Sequence, residues 1–194
     1  MGEYSVTYTR LILRIRGPMH KLESESWFAS SMIAPIGVIH TPFQYARGTP
    51  IQPSASIGAE GMVELLPEFA TGLADLAEFE RIWLIYLLDR ASAVQMVVRP
   101  YMDTEDRGVF STRSPARPNH IGLASVRLLG IEQNRLRVAD VDMLDGTPLL
   151  DIKPYVPAFD SFPHARAGWY TGKSAHGAVA DERFEMKSLD KHNL

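Results

Sequence analysis

The stretch from Arg81 to Leu88 constrains this chain more than any other part of it. It is too apolar to face water on either side, so it must run as a strand buried on both faces at the centre of a sheet. Val94 to Val98 is the expected partner strand. Other β-branched or alternating runs follow the same logic. Ile33 to His40 is stopped by Thr41-Pro42, and Gly61 to Leu66, Val109 to Thr112, Ile121 to Ile131 and Arg135 to Val141 are further strands. The last two are joined by a short polar turn at Glu132 to Asn134. Helical signals are few: Pro67 and Glu68 suit the first turn of a short helix that Gly72 weakens. Short strands, many Gly and Pro turns and one minor helix predict a mainly all-β chain, a small antiparallel β-barrel with one or two short helices.

A chain of 194 residues is long enough for one domain with a substantial core. It has no cysteine, so it has no disulfide framework and no thiolate metal site, which fits a reducing, cytoplasmic location. None of the six histidines forms a close pair of the kind that binds zinc, and no metal is expected. No apolar run approaches the roughly 20 residues that span a bilayer, and the N-terminal residues lack a signal-peptide pattern. Gly2 follows Met1, but Val6 stands where a myristoylation signal needs a hydroxyl residue. The expectation is a soluble protein without a membrane partner.

The net charge of -3 argues against a nucleic-acid binder that relies on overall positive charge. Charge is uneven, however: residues 107 to 137 hold six arginines and one acid, Glu132. A basic face on an acidic protein is one reading, and solvated arginines on strand exteriors are the other. Between Arg113 and Asn119 two arginines and two prolines form a loop whose prolines restrict it before folding. A stiff loop that presents guanidinium forks suits a carboxylate or a phosphate. Residues 44 to 60, rich in Gly, Pro, Ser and Ala, form a loop long enough to carry function. Asp145-Gly146 reads as a tight turn, since glycine accepts positive φ, and the turn leaves the carboxylate free for a second role. A phosphatase reading of Asp145-Gly146-Thr147 fails, because no second aspartate precedes the glycine at the needed spacing. No GxGxxG follows a strand, so a dinucleotide fold is unsupported.

Five blocks stand in an order and spacing that resemble the TsaA-like (TrmO) family. They are Arg113-Ser114-Pro115, Arg117-Pro118-Asn119, Ile121-Gly122-Leu123, Leu144-Asp145-Gly146-Thr147-Pro148 and Asp151-Ile152-Lys153-Pro154-Tyr155. The resemblance also takes in Ile36 to Phe43 and Phe79 to Leu84, and covers roughly residues 33 to 169. It implies three parts: an accessory extension over 1–31, a TsaA-like β-barrel over 32–169 and a polar tail or added helix over 170–194. It also implies S-adenosylmethionine as cofactor and methylation of threonylcarbamoyl-adenosine beside the tRNA anticodon, with the anticodon loop as partner. A homodimer whose pocket is completed by a neighbouring subunit is implied as well.

The family's cofactor contacts, carried onto matching positions, fall on Ile51, Gln52 and Pro53, on Asp89 and Arg90, on Arg113 and Leu123, and on Asp142, Met143, Leu144 and Asp145. Arg113 suits the methionyl carboxylate, Asp142 and Asp145 the ribose hydroxyls or amine, and Leu123 and Leu144 the adenine wall. Asp89 and Asp145 are the candidates for a general base. Arg117 is the candidate phosphate contact. The sequence departs from the family at Leu88-Asp89, where many members have an aromatic residue and a histidine, and at His120, where many have proline. Two other functions remain open: a methyltransferase with another acceptor, and a barrel that senses S-adenosylmethionine without turning it over.

Overall fold

The expected apolar strand is present at Arg81–Leu87 (β3), but it is not buried on both faces: Ile82, Leu84 and Tyr86 are buried, while Trp83 and Ile85 are half-buried, because one face of a barrel strand looks outward. The computed structural model describes residues 33–173 and 178–181. The expected extension over 1–31 lies outside the described residues. In chain order the other strands are Gly37–His40 (β1), Glu60–Leu65 (β2), Val97–Val98 (β4), Arg107–Gly108 (β5), Ile121–Glu132 (β6), Arg135–Ala139 (β7) and Thr147–Pro154 (β8). Six of them close an antiparallel barrel in the order β1-β2-β7-β6-β3-β8, while β4 and β5 pair with each other in a small separate sheet. Among the described residues, helical structure is short 3-10 turns and one helical turn at Pro157–Asp160.

Alternation sets the core. Ile82, Leu84 and Tyr86 of β3 point inward with Ile39, Val63, Val126, Leu136, Val138 and Leu149, and all are almost fully buried. Burying each such aliphatic side chain favours folding by roughly 1.5–3 kcal/mol relative to exposure. Within the barrel, Tyr86 lies opposite Gly122 of β6. A Cβ on Gly122 would come within 2.2 Å of the Tyr86 ring, so only glycine leaves room for the aromatic ring to cross this strand.

The structure corrects several expectations. Val94 to Val98 does not partner β3: Val97–Val98 pairs with Arg107–Gly108, and β3 pairs with β6 and β8. Val109–Ser111 is a 3-10 turn, not a strand, because Thr112 Oγ1 caps its own turn by donating to the Val109 carbonyl at 2.8 Å. β8 is an additional strand that closes the barrel despite Pro148 and Pro154. Asp145-Gly146 does make the expected turn, with Gly146 at φ 76°. Part of the expected tail is neither frayed nor helical, since residues 178–181 lie against the 48–51 segment. Ala180 N donates to the Thr49 carbonyl at 2.7 Å, and Gly48 N donates back to Ala180.

Antiparallel closure puts the loops 41–59, 88–120 and 140–146 at one end of the barrel, the end where β3 finishes and β6 starts. Every candidate site residue is on these loops or on the strand ends beneath them. One carboxylate fastens the first loop to the wall. Asp140, 3% exposed, accepts from Gly58 N, Arg81 Nη2 and Arg127 Nε at 2.7–3.0 Å.

Gly122→Ala should lower stability by about 1–3 kcal/mol through overpacking against Tyr86. Denaturant unfolding of Gly122→Ala beside Gly122→Ala/Tyr86→Leu checks this, because the double variant, with no ring to clash, should recover part of the loss.

Candidate functional site

The loop 111–120 owes its shape to hydroxyls as much as to its prolines. Ser114 N donates to Thr112 Oγ1, Ala116 N donates to Ser114 Oγ, and Arg117 N donates to the Pro115 carbonyl. Thr112 and Ser114 are buried at 6% exposure, so these bonds are shielded from water. Beneath the loop Val98, Val109 and Ala116 form a small second core. Arg113 therefore projects from a fixed backbone, and its Nη1 donates to Gln52 Oε1 at 2.8 Å.

A pocket of about 320 Å³ opens between this loop, the 49–52 segment and the top of the barrel. Tyr86, Gly122 and Asp142 line it from the barrel, and Ile51, Leu88 and Leu123 give it apolar wall. Arg113 and Arg117 line it from the loop. Asp142 is the group least at ease there. Its Oδ1 is buried without a hydrogen-bond partner among the described residues. Burial pushes its carboxyl from 3.8 up to about 7, although the Arg113 charge and its own backbone N–H pull the other way. Tyr86 is likewise pushed well above the usual phenol value, by burial first and by the Asp142 charge second, with Arg113 opposing. Opposite charges, an unpaired buried carboxylate and an apolar wall make this a site built for a zwitterionic or cationic ligand with an apolar part.

Five of the expected cofactor contacts, Ile51, Gln52, Arg113, Leu123 and Asp142, and the expected phosphate contact, Arg117, line this pocket. Pro53, Asp89, Arg90, Met143, Leu144 and Asp145 are at the same barrel end but do not line it. Pro53 opens a 3-10 turn, and Met143 is buried in the core. Leu144 accepts at its carbonyl from Thr147 Oγ1. Arg90 pairs with Asp89 at 3.4 Å and donates to the Asp145 carbonyl at 2.8 Å. Asp145 accepts from Thr41 N at 3.0 Å and Gln44 Nε2 at 3.1 Å, and faces His40 Nδ1 at 3.5 Å. Burial raises the Asp145 carboxyl, but those three partners outweigh it and hold it below the usual range. A carboxylate so engaged is a weak base.

The six arginines do not share one face. Arg127 pairs with Asp140, Arg135 with Glu64, Arg137 with Glu60 and Arg107 with Asp103. Only Arg113 and Arg117 are at the pocket. His120 has φ 47°, and its N–H donates to the Arg117 carbonyl at 3.2 Å. A proline could do neither, so the departure at this position does change the loop rim. Sequence reading missed Tyr86 and the outer wall, where Trp169, Tyr170 and Ala180 line the pocket together with Pro100, Tyr101 and Met102. The glycine in Ile121-Gly122-Leu123 was the available signal for Tyr86. Among the described residues no three His, Asp or Glu side chains gather as a metal-binding group. Among the described residues no helix is long and apolar enough to cross a membrane.

Residues 38–161 match the model of the tRNA-methyltransferase O N-terminal domain. The chain belongs to that family. It is 56% identical over 135 residues to a probable S-adenosyl-L-methionine-binding protein of Pyrococcus abyssi, covering 70% of this chain and 73% of the relative. A tRNA (adenine(37)-N6)-methyltransferase of Mus musculus is 36% identical over 66% of this chain and 31% of its own length. The crystal structure of TrmO from Pseudomonas aeruginosa superposes with a TM-score of 0.61 at 40% identity, over 72% of this chain and 62% of that one. The family domain thus accounts for the barrel and its loops, whereas Trp169, Tyr170 and Ala180 are beyond it.

Asp142→Asn should stabilise the protein in a pH-dependent way. The folded-state value is raised, so ionising Asp142 costs stability that is absent near pH 4, grows as pH rises and is complete above about 7. The variant should therefore unfold at a higher temperature than the parent at pH 8, and at a similar one at pH 4. Thermal melts at the two pH values check it.

Proposed function

We propose that the protein binds S-adenosylmethionine in this pocket and methylates threonylcarbamoyl-adenosine next to the tRNA anticodon. The observation that carries the reading is the buried Asp142 Oδ1, without a hydrogen-bond partner among the described residues, beside the charge of Arg113 at an apolar wall. Arg113 offers the donor fork for the amino-acid carboxylate, with Gln52 holding the guanidinium in place. Asp142 offers the acceptor that the neighbouring ammonium needs, and Ile51 and Leu123 offer apolar contact for the adenosine. When bound, S-adenosylmethionine supplies an already activated methyl on a sulfonium. The chain's work is then to orient the acceptor nitrogen and exclude water. Of the two candidate bases, Asp145 is engaged by three partners, whereas Asp89 is on the rim with Arg90 as its charged neighbour, and on that geometry Asp89 is kept as the candidate base.

The expected contacts fall into two groups at one barrel end, the pocket set and the rim set of Pro53, Asp89, Arg90, Met143, Leu144 and Asp145. A homodimer that brings the rim of one copy over the pocket of the other would reunite them, with two-fold symmetry as the default. Arg117, at the pocket with no side-chain partner among the described residues, is the contact for a tRNA phosphate. An unpaired anticodon-loop base enters such a pocket at lower cost than a base in a duplex. A tRNA substrate would place the protein in the cytoplasm. The relatives named only as binding proteins keep a cofactor-sensing role as the second reading.

S-adenosylmethionine binding is checked by calorimetry, where Arg113→Ala should weaken it by roughly 1.5–3 kcal/mol and Arg113→Lys only partly rescue it. Binding should also release protons, and tighten as pH rises toward about 7, because the ligand's ammonium favours ionised Asp142. Unchanged affinity in Arg113→Ala would remove that residue from the site. Transfer is checked with labelled cofactor and tRNA lacking the modification, with label expected in one nucleoside. Affinity for tRNA should fall with salt at a log–log slope of roughly -2 to -3, for three or four phosphates at about -0.7 each. Arg117→Ala should flatten that slope and spare the cofactor. A flat response in the parent protein favours the sensor.

A further inference from the structure

After β8 the chain leaves the far end of the barrel, yet by Trp169 it is back at the pocket. What holds it there is a set of contacts centred on one ring. Trp169 Nε1 donates to the Ser111 carbonyl at 2.8 Å, two residues before Arg113. The indole stacks on Tyr170 at 3.8 Å between centroids, with Arg107 and Lys173 at 5.7 and 5.3 Å from its centre. Both cations are fixed by one carboxylate: Asp103 Oδ2 accepts from Arg107 at 2.9 Å, and Oδ1 accepts from Lys173 Nζ at 2.8 Å. The Asp103 side chain is only 5% exposed, and Lys173 Nζ also donates to the Met102 carbonyl. Asp103 and Lys173 thus clasp the returning segment to the connector between β4 and β5.

The segment does not merely cover the pocket. The 111–115 backbone is fixed from inside by the Thr112 and Ser114 hydroxyls and from outside by the indole N–H. We propose that Trp169, from outside the family domain, is a positioning residue that sets the Arg113 guanidinium for an amino-acid carboxylate, with the Asp103–Lys173 ion pair holding Trp169 in place. The proposal rests on the cofactor reading above. It adds that residues 168–173 help to build the carboxylate subsite by holding the backbone that carries Arg113. Since Trp169 acts through Arg113, its effect must vanish when either the guanidinium or the ligand's carboxylate is absent.

That dependence gives the test. S-adenosylhomocysteine carries the amino-acid carboxylate, and 5′-methylthioadenosine shares the adenosine and thioether but lacks it. Trp169→Phe keeps an aromatic ring for Tyr170 and the two cations while it removes the N–H donor and part of the ring area, and the probe without a carboxylate reads the loss of area separately. Calorimetry on the full chain should show S-adenosylhomocysteine weakened about fivefold, the effect of one hydrogen bond, and 5′-methylthioadenosine unchanged. In the Arg113→Ala background the same substitution should cost nothing further, so the double-mutant cycle closes on a coupling equal to the single effect. Lys173→Met should shift S-adenosylhomocysteine in the same direction and by less. Equal weakening of both probes, or an undiminished loss in the Arg113→Ala background, would show a wall with a merely structural role and overturn the proposal. Unchanged binding of both probes in Trp169→Phe would overturn it too, while leaving the cofactor reading intact. A parent protein that binds neither probe overturns both.

Discussion

Closure of the barrel is the constraint on which the rest depends. In a closed antiparallel sheet successive connections alternate between the two ends, so a six-stranded barrel cannot scatter its loops. Here the pairing of β1 with β8, Gly37 opposite Leu149, completes the ring. It thereby commits loops 41–59, 88–120 and 140–146 to one rim. Gln52, Arg113 and Asp142 come from three different loops separated by up to 90 positions in the numbering. Only closure makes them neighbours. The two connections at the other end, 66–80 and 133–134, carry no candidate residue. Asp140 extends the same constraint outward, because its bond to Gly58 ties the longest glycine-rich loop to the arginines of β3 and β6.

What the sequence made legible follows from how local each signal is. The existence of β3 and β6 as strands and the Asp145-Gly146 turn are properties of a few adjacent residues, and all were readable; the half-exposed outer face of β3, at Trp83 and Ile85, was not. The partner of β3 was not. Proximity favoured Val94 to Val98, whereas the true neighbours, β6 and β8, are brought in by closure. β8 was obscured because Pro148 and Pro154 each remove a ladder donor, a cost that its pairing with both β1 and β3 outweighs. In the site, residues within recognisable blocks were legible and residues defined by long-range approach were not. Tyr86 reads as one more core aromatic until Gly122 is seen opposite it. Trp169 and Tyr170 follow a stretch of weak pattern, and nothing local says that the chain returns to the pocket.

The pocket also shows where stability is set aside for function. A barrel of this size could bury an aliphatic residue at position 142. Instead it holds a carboxylate that is costly to ionise there, with the Tyr86 hydroxyl and the Arg113 guanidinium as its charged or polar surroundings. Arg113 offsets part of that cost but cannot satisfy Oδ1. The contrast with Asp145 is informative, because two carboxylates three residues apart have opposite shifts. Asp145 is met by a backbone N–H, an amide and a histidine and works as a strut for the turn. Asp142 has only its own backbone N–H, and its Oδ1 is left without a partner among the described residues, which is the condition expected of a group that a ligand completes.

Charge follows the same division. Three of the arginines between 107 and 137 are paired along the barrel strands: Arg127 with Asp140, Arg135 with Glu64, Arg137 with Glu60. Such pairs contribute little to a long-range field, since each cancels within a few ångströms and salt screens the remainder. Arg107 and Lys173 share the single charge of Asp103, which leaves one net positive charge beside Trp169. Arg113 and Arg117 differ, because neither forms an ion pair among the described residues. Among the described residues, an anion that approaches this end of the barrel therefore meets two guanidinium groups with no carboxylate paired to them. Net charge is then a poor guide to what the molecule attracts, and the position of two guanidinium groups on a stiff loop is a better one.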